Sequence, residues 1–294
     1  MKKQTKKDQR LRQELGRLLA SGFYDHQQIR MSEMNRVRDV IRKKNEGIAF
    51  DEVEEKKEKK EKFKNEYADN RLRKTLAKME KEGKLSESDA EYITKMMDLF
   101  DKAKDEELQY KRLLSEYISS EPVWEEFLFY IKGIGEILTA NLIKNFGYCE
   151  KYAHVSSLWR HCGLSVTPEG TAPRMKKGEK LDYSPRLRTL AWKISDSFIK
   201  QRTDTYRGIY DSEKRRQLAL MKNEAENAPK SKLHAELRSR RKMVKIFLQH
   251  YWIKTRTLKG LEVSMPYPQA KMGHKHYIDV EDVIKRARAK ATKI

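Results

Sequence analysis

Cysteine is scarce in this chain: only Cys149 and Cys162 occur among its 294 residues. Two thiols exclude the disulfide framework of a small secreted protein and favour a reducing compartment. Long apolar runs are also missing, since none reaches the roughly 20 residues that a membrane-spanning helix needs. The first residues, MKKQTKKDQR, are basic but lack the apolar stretch of a signal peptide. We therefore expect a cytoplasmic protein without a membrane partner, able to associate with a nucleoid.

Proline and glycine are rare before residue 120, in a region rich in Lys and Glu. Because both residues interrupt helices, their scarcity favours long helices. From Pro122 onward, aromatic residues, glycines and prolines become frequent. We predict a mostly α protein with a long, coiled-coil-like helical arm over 1–121, a compact domain over 122–260 and a basic extension over 261–294. Apolar residues of the arm that fall at helical spacings are Leu11, Leu15, Leu18, Met34, Val37 and Ile41.

The end of the arm carries the clearest periodicity of the sequence. Apolar positions alternate spacings of three and four residues, with Glu107 as the one violation. The positions of this seam are Ile93, Met96, Phe100, Ala103, Glu107, Tyr110, Leu114 and Tyr117. Two arrangements would use it: helices that pack within one chain, or a homodimer formed through the N-terminal helices.

Acidic residues are too few to balance the basic ones: 44 Asp and Glu stand against 65 Lys and Arg, for a formal net charge of +21. Such an excess suits a polyanionic partner, because each neutralised phosphate releases counterions. The sign of the charge alone does not separate DNA from RNA or from a ribosome.

One short motif connects the charge to a specific structure. Residues 123–146 read as an apolar helix, a tight Lys132-Gly133-Ile134-Gly135 turn and a second helix, which is the helix-hairpin-helix pattern. Glycines leave the turn's amides uncovered, and the second helix presents free N–H groups where its dipole favours anions. The pattern predicts binding of a phosphate backbone without sequence readout. The alternative is a turn that only joins two packed helices.

Two basic clusters follow the hairpin. The first lies in a loop and at the start of the next helix, and the second opens a later helix. We predict that they contact nucleic acid through the following residues: Arg174, Lys176, Lys177, Lys180, Arg186, Arg188, Arg240, Arg241 and Lys242. The alternative is that these charges form ordinary solvated faces.

No cofactor or metal site is expected. Four residues have the right chemistry for metal ligands: Cys149, His154, His161 and Cys162. Their spacing matches no usual zinc pattern. Phosphate-binding loops, dinucleotide fingerprints and metalloprotease motifs are also missing from the sequence.

Several segments in order, GIGEILTANLIKNFG, SSLWRHCGL, LRTLAWKISDSF and RRKMVKIFLQHYW, resemble the C-terminal helix-hairpin-helix domain of insertion-sequence transposases of the RNA-guided bridge recombinase family. The resemblance covers residues 123–255 and implies DNA binding. It also implies a nucleophile after Gly163-Leu164, for which Thr171 is the nearest match.

The chain departs from that family in its N-terminal half, where no alternation of strands could carry the family's four acidic residues. We therefore expect a DNA-binding, transposase-related protein that lacks the nuclease-like half and does not cut DNA. The alternatives are an active transposase or recombinase that uses Thr171, and a protein that binds RNA or the ribosome.

Overall fold

The computed structural model describes residues 6–46, 69–167, 171–175, 177–178, 180–202, 204–266, 270 and 277–291. Over these ranges the chain is helical and has no strand, which confirms the predicted mostly α class. None of the helices described is both long and apolar enough to cross a membrane. The α-helices are α1 (Lys6–Glu46), α2 (Asp69–Lys81), α3 (Glu87–Ser119), α4 (Pro122–Glu126), α5 (Glu136–Phe146), α6 (Val155–His161), α7 (Pro185–Gln201), α8 (Asp204–Lys222), α9 (Lys232–Leu258) and α10 (Val280–Ala291).

Internal contacts divide the chain into two compact units. One unit is Leu18–Leu113, and the other combines Met1–Arg17 with Leu114–Ile294. The division at residues 121 and 260, which rests on composition, stays a prediction.

The Leu18–Leu113 unit has a core shared by α1, α2 and α3. Its buried members come from all three helices and from the turn between α2 and α3: Met34, Val37, Ile41, Leu72, Leu76, Met79, Leu85, Ile93, Met97 and Phe100. Ser86 caps α3, because its hydroxyl accepts a hydrogen bond from the Asp89 amide at 3.1 Å. A three-helix core of this kind lets each amphipathic helix cover the apolar stripes of the other two.

The predicted seam of α3 is covered within the same chain. Ile93 and Phe100 lie in the core just described. Glu107, the violation of the pattern, accepts hydrogen bonds from Gln27 at 3.0 Å and from Arg30 at 2.5 Å, so its charge is neutralised inside the unit. Of the two predicted arrangements, the structure has the one in which the seam packs against helices of the same chain. A homodimer would need another surface and stays a prediction.

The leucines near the start of α1 do not form a buried stripe. Leu11, Leu15 and Leu18 are exposed, whereas Ala20 and Phe23 are buried. The helix spacing was therefore sufficient to predict α1 but not to predict which of its faces is covered.

The unit that contains the C-terminal part of the chain is built around α9. Phe247 of this helix is fully buried and contacts three other rings. The ring centroids lie 6.2 Å from Phe127, 5.2 Å from Phe198 and 5.3 Å from Tyr206. These contacts fix α4, α7 and α8 around α9, and so they position the surfaces on which the predicted site residues lie.

Candidate nucleic-acid interface

The turn between α4 and α5 is packed on α7 through Gly133. This glycine has φ of +102°, and a Cβ at its position would lie 3.2 Å from a ring carbon of Phe198. Its carbonyl oxygen accepts a 2.6 Å hydrogen bond from the Ser197 hydroxyl. Both the backbone conformation and the close approach therefore require glycine. The role of Gly133 in the structure is packing.

The first helix of the predicted hairpin is much shorter than expected. The α-helical part ends at Glu126, and only a 3₁₀ turn, Leu128–Tyr130, follows. Phe127 interrupts the helix with φ of −137°, and its side chain is fully buried. Leu128, the first residue of the 3₁₀ turn, is buried as well, so the chain leaves the α-helix while its apolar side chains remain in the core. The second helix, α5, is confirmed.

Gly135 differs from Gly133 in both respects. It precedes α5 with φ of −88° and without a side-chain cap, and a Cβ added there would meet nothing within 4 Å. The amides at the start of α5 are thus left uncapped by any side chain, as a phosphate site requires. Ile134 is buried beneath the turn and Lys132 is exposed. Glu136, in the first turn of α5, opposes an anion there.

The predicted loop cations are mostly solvated. Arg174, Lys177, Lys180 and Arg186 are exposed. Lys176 lies outside the described residues. Exposed charges of this kind attract a polyanion over distance but hold no fixed geometry.

Thr171, the candidate nucleophile, is also exposed. Its hydroxyl lies 2.9 Å from the Thr167 hydroxyl, and the Thr171 carbonyl accepts a 2.8 Å hydrogen bond from the Thr167 amide. These bonds close a short turn. A second hydroxyl is a poor base, so this contact does not activate Thr171 for attack on phosphorus.

Several basic residues around α8 and α9 are neutralised by carboxylates. Lys242 lies 2.6 Å from Glu213, and Arg216 contacts the same carboxylate at 2.6 Å. Burial alone would raise the pKa of Glu213, but hydrogen bonds from Arg216, Lys242 and Gln217 outweigh it and hold the pKa at about 2. We call the whole group the paired cluster; its members are Glu213, Lys214, Arg216, Glu236, Arg240 and Lys242.

Three other cations have no carboxylate partner in the part of the chain that the structure describes. Within that part, Arg188 donates to two neutral groups, the Pro173 carbonyl and the Tyr183 hydroxyl, both at 2.9 Å. Burial, and then the positive charges of Arg188 and Arg238, lower the pKa of Arg241. Burial and the charge of Arg241 lower the pKa of Lys245 to about 8. We call these three residues, Arg188, Arg241 and Lys245, the unpaired cluster.

The unpaired cluster has no ion pair among the residues that the structure describes. Cations removed from water without a counter-charge cost free energy. Buried cations that lower the stability of the fold in this way are candidates for binding an anionic ligand.

A cleft of about 480 Å³ opens beside this cluster, between α7, α9 and the loop before α7. Arg188, Arg240 and Arg241 contribute charge to its lining, and Tyr183 and Trp192 contribute rings. Its remaining lining is largely apolar and consists of Gly163, Leu164, Ala172, Pro185, Thr189, Ala191, Ser195, Leu237 and Val244. Apolar walls with a few convergent polar groups are typical of ligand pockets.

The cleft and the Gly133 turn lie along the same helix. Trp192 lines the cleft and Ser197 holds the turn. Five residues of α-helix separate them, a rise of about 7–8 Å. A rotation of about 140° accompanies this rise, so Trp192 and Ser197 leave α7 on different faces.

The sequence placed Lys245 in the second basic cluster but did not predict its contact with Trp159. The Lys245 ammonium lies 4.2 Å from the centre of the Trp159 ring, and the indole N–H donates to the Lys245 carbonyl at 2.9 Å. The two residues are far apart in the sequence, and the available signal was only that Lys245 follows Arg241 by one helical turn.

The candidate metal ligands do not form a site in the described part of the chain. Cys149 and Cys162 are free and buried, and burial raises the pKa of Cys149 to about 12. His161 Nδ1 lies 2.6 Å from the Tyr152 hydroxyl, which accounts for that side of its ring. Among the described residues, no group of three or more His, Cys, Asp or Glu side chains could hold a metal ion.

Comparisons with protein-family models, with curated proteins and with solved structures find no match to this chain. The resemblance to insertion-sequence transposases therefore stays a prediction.

Proposed function

We propose that this protein binds nucleic acid, most simply DNA, through the phosphate backbone. The observation that carries the proposal is the unpaired cluster: Arg188 and Arg241 line the same cleft, and Lys245 follows Arg241 by one turn of α9. None of the three has a carboxylate partner among the described residues. A backbone phosphate would supply the missing counter-charge. The formal net charge of +21 supports the same class of partner.

The uncapped start of α5 would add a second phosphate contact. Amides at a helix N-terminus bind phosphate oxygens without regard to base sequence. Strand transfer is not part of the proposal, because the group next to the Thr171 hydroxyl is another hydroxyl.

A binding titration at several salt concentrations tests the proposal. The full chain should bind duplex DNA, branched DNA or structured RNA with an affinity that falls steeply as salt rises, by a slope of about −0.9 per phosphate neutralised on B-DNA. A flat dependence on salt would overturn the proposal. Preference for structured RNA over both DNAs would keep backbone binding but replace DNA as the partner.

Gly135 offers a test of the second contact that leaves the fold intact. Gly135→Asp should cap α5 with a carboxylate, because a Cβ fits there without contact. The carboxylate occupies the amides and repels phosphate, so we expect affinity to fall about tenfold without loss of stability. Gly135→Ser, which caps the helix without charge, is the matched control and should lose less. Unchanged affinity in the Asp variant would limit the turn to a structural role.

A further inference from the structure

We propose that the cleft between α7 and α9 holds one unpaired nucleotide, with its base against Trp192 and its phosphate at the unpaired cluster. This inference rests on the proposed function and deepens it, because it makes unpaired or distorted nucleic acid the preferred partner over a regular duplex.

Trp192 forms a platform in the cleft. Its side chain remains 48% exposed although it lines an apolar pocket. The Arg240 guanidinium lies 4.3 Å from the centre of the indole ring. A base could stack on the indole, since every base has a π-face that aromatic side chains accept.

Arg240 is held in place by its own contacts. Its guanidinium donates to Glu236 at 3.0 Å and to the Ser195 hydroxyl at 3.2 Å. Its charge is thereby balanced, and its main contribution to the cleft is to fix the ring of Trp192. A platform fixed before binding costs less entropy to use.

The charge at the cleft complements a phosphate. Arg188 and Arg241 line it directly, and Lys245 adds its charge beside Arg241. The Arg188 guanidinium is oriented by Tyr183, over whose ring it lies at 5.0 Å. A cleft lined by both cations and an aromatic ring matches the two parts of a nucleotide, its phosphate and its base.

A regular duplex would use only half of this surface. Its bases are stacked and paired inside the helix, so it presents phosphates and groove edges but no base face. The apolar walls, which include Leu164, Leu237 and Val244, would contribute nothing to backbone contact. An unpaired nucleotide uses both the walls and the cations, and base-to-ring stacking is tolerant of sequence.

The experiment compares Trp192→Leu with the unchanged full chain on two DNAs: a blunt duplex, and the same duplex with a short single-stranded overhang. The unchanged chain should prefer the overhang. Trp192→Leu should reduce affinity for the overhang DNA about tenfold and leave the blunt duplex within about twofold. Phe129→Leu is the matched control, because Phe129 is an exposed ring of the same unit that does not line the cleft. A parallel titration with the same duplex carrying an RNA overhang shows whether the bound nucleotide comes from DNA or from RNA.

The outcomes separate this inference from the proposed function. If no nucleic acid binds, the proposed function fails. If nucleic acid binds but Trp192→Leu weakens both DNAs equally, or neither, the backbone proposal stands and the cleft proposal is overturned. Displacement of the overhang DNA by an acidic peptide with an aromatic residue, but not by a free mononucleotide, would also overturn it.

A second variant keeps the inference testable if Trp192→Leu fails to fold by circular dichroism. Arg241→Met retains an apolar stem in the cleft and removes the phosphate contact, so it should also lower affinity for the overhang DNA about tenfold. Equal affinity of Arg241→Met and the unchanged chain for that DNA would overturn the inference.

Discussion

Arg241 and Lys242 are neighbours on α9, but their surroundings are opposite. Lys242 lies 2.6 Å from the buried carboxylate of Glu213. Arg241 is surrounded by the positive charges of Arg188 and Arg238. One helical step of about 100° therefore separates a cation that stabilises the fold from a cation that costs the fold free energy. The number of basic residues on a helix does not show which of them can bind an anionic ligand. That depends on whether a carboxylate of the same chain already neutralises each charge.

The largest effect should follow from breaking the paired cluster. Replacing both Arg216 and Lys242 with Met leaves the Glu213 carboxylate buried with Gln217 as its remaining partner. Leaving a buried charge uncompensated should cost about 3–5 kcal/mol of unfolding free energy. Chemical denaturation measures this loss. Arg215→Met, at an exposed position of α8, is the control and should change stability by less than about 0.5 kcal/mol.

Adding Glu213→Gln to the double variant should recover most of that loss, because the buried charge is gone. The same carboxylate predicts acid sensitivity. Its pKa in the folded chain, about 2, lies below its ordinary value of 4.5, so its contribution is present above pH 4.5 and is lost as pH falls towards 2. A double variant as stable as the unchanged chain would show that the paired cluster contributes little.

The distinction between the clusters could not have been predicted from sequence. Glu213 and Lys242 are separated by 29 residues, and nothing local marks them as partners. The helix that carries Glu213, α8, was itself not predicted. Its buried positions include Tyr206, Tyr210 and Gln217, so its apolar periodicity is concealed by polar side chains.

Other parts were accessible from the sequence alone. Strong apolar periodicity correctly predicted α3, and the glycine turn before α5 was found from its pattern. The sequence pattern treated Gly133 and Gly135 alike, which was wrong. Gly133 cannot be replaced without strain because of its positive φ and its close approach to Phe198, whereas Gly135 has room for a side chain. That difference depends on backbone torsion angles and on residues far away in the sequence. A short sequence motif contains information about neither.

An intermediate effect is expected at Lys245, in the unpaired cluster. Its pKa in the folded chain, about 8, lies below its ordinary value of 10.5, because the fold disfavours the charged form. The charge therefore destabilises the fold below pH 8, and this cost disappears as pH rises from 8 to 10.5. Lys245→Met should raise the unfolding free energy by roughly 2–3 kcal/mol at pH 7 and make little difference at pH 10.5.

Denaturation of both proteins across this pH range isolates the contribution of Lys245, since other titrating groups cancel in the difference. A constant difference between the two proteins at every pH would contradict the assignment. It would mean that Met simply packs better against Trp159 than Lys does.

The smallest change in stability, but the sharpest test of the comparison, is expected for Arg241→Met. Its neighbour Lys242 can only be removed at a cost. Arg241 is partly buried and has no carboxylate partner in the described ranges, so its removal should leave the unfolding free energy unchanged or raise it by about 1 kcal/mol. The same variant should bind duplex DNA about tenfold more weakly, with the slope of log affinity against log salt reduced by about 1. Arg215→Met again serves as the control, because it removes the same formal charge from an exposed position outside the cleft.

A stability gain together with an affinity loss would show that α9 keeps Arg241 for a ligand at the expense of the fold. If Arg241→Met instead lost stability and kept its affinity and its salt slope, the unpaired cluster would be part of the scaffold, and the contact with the phosphate backbone would have to lie elsewhere.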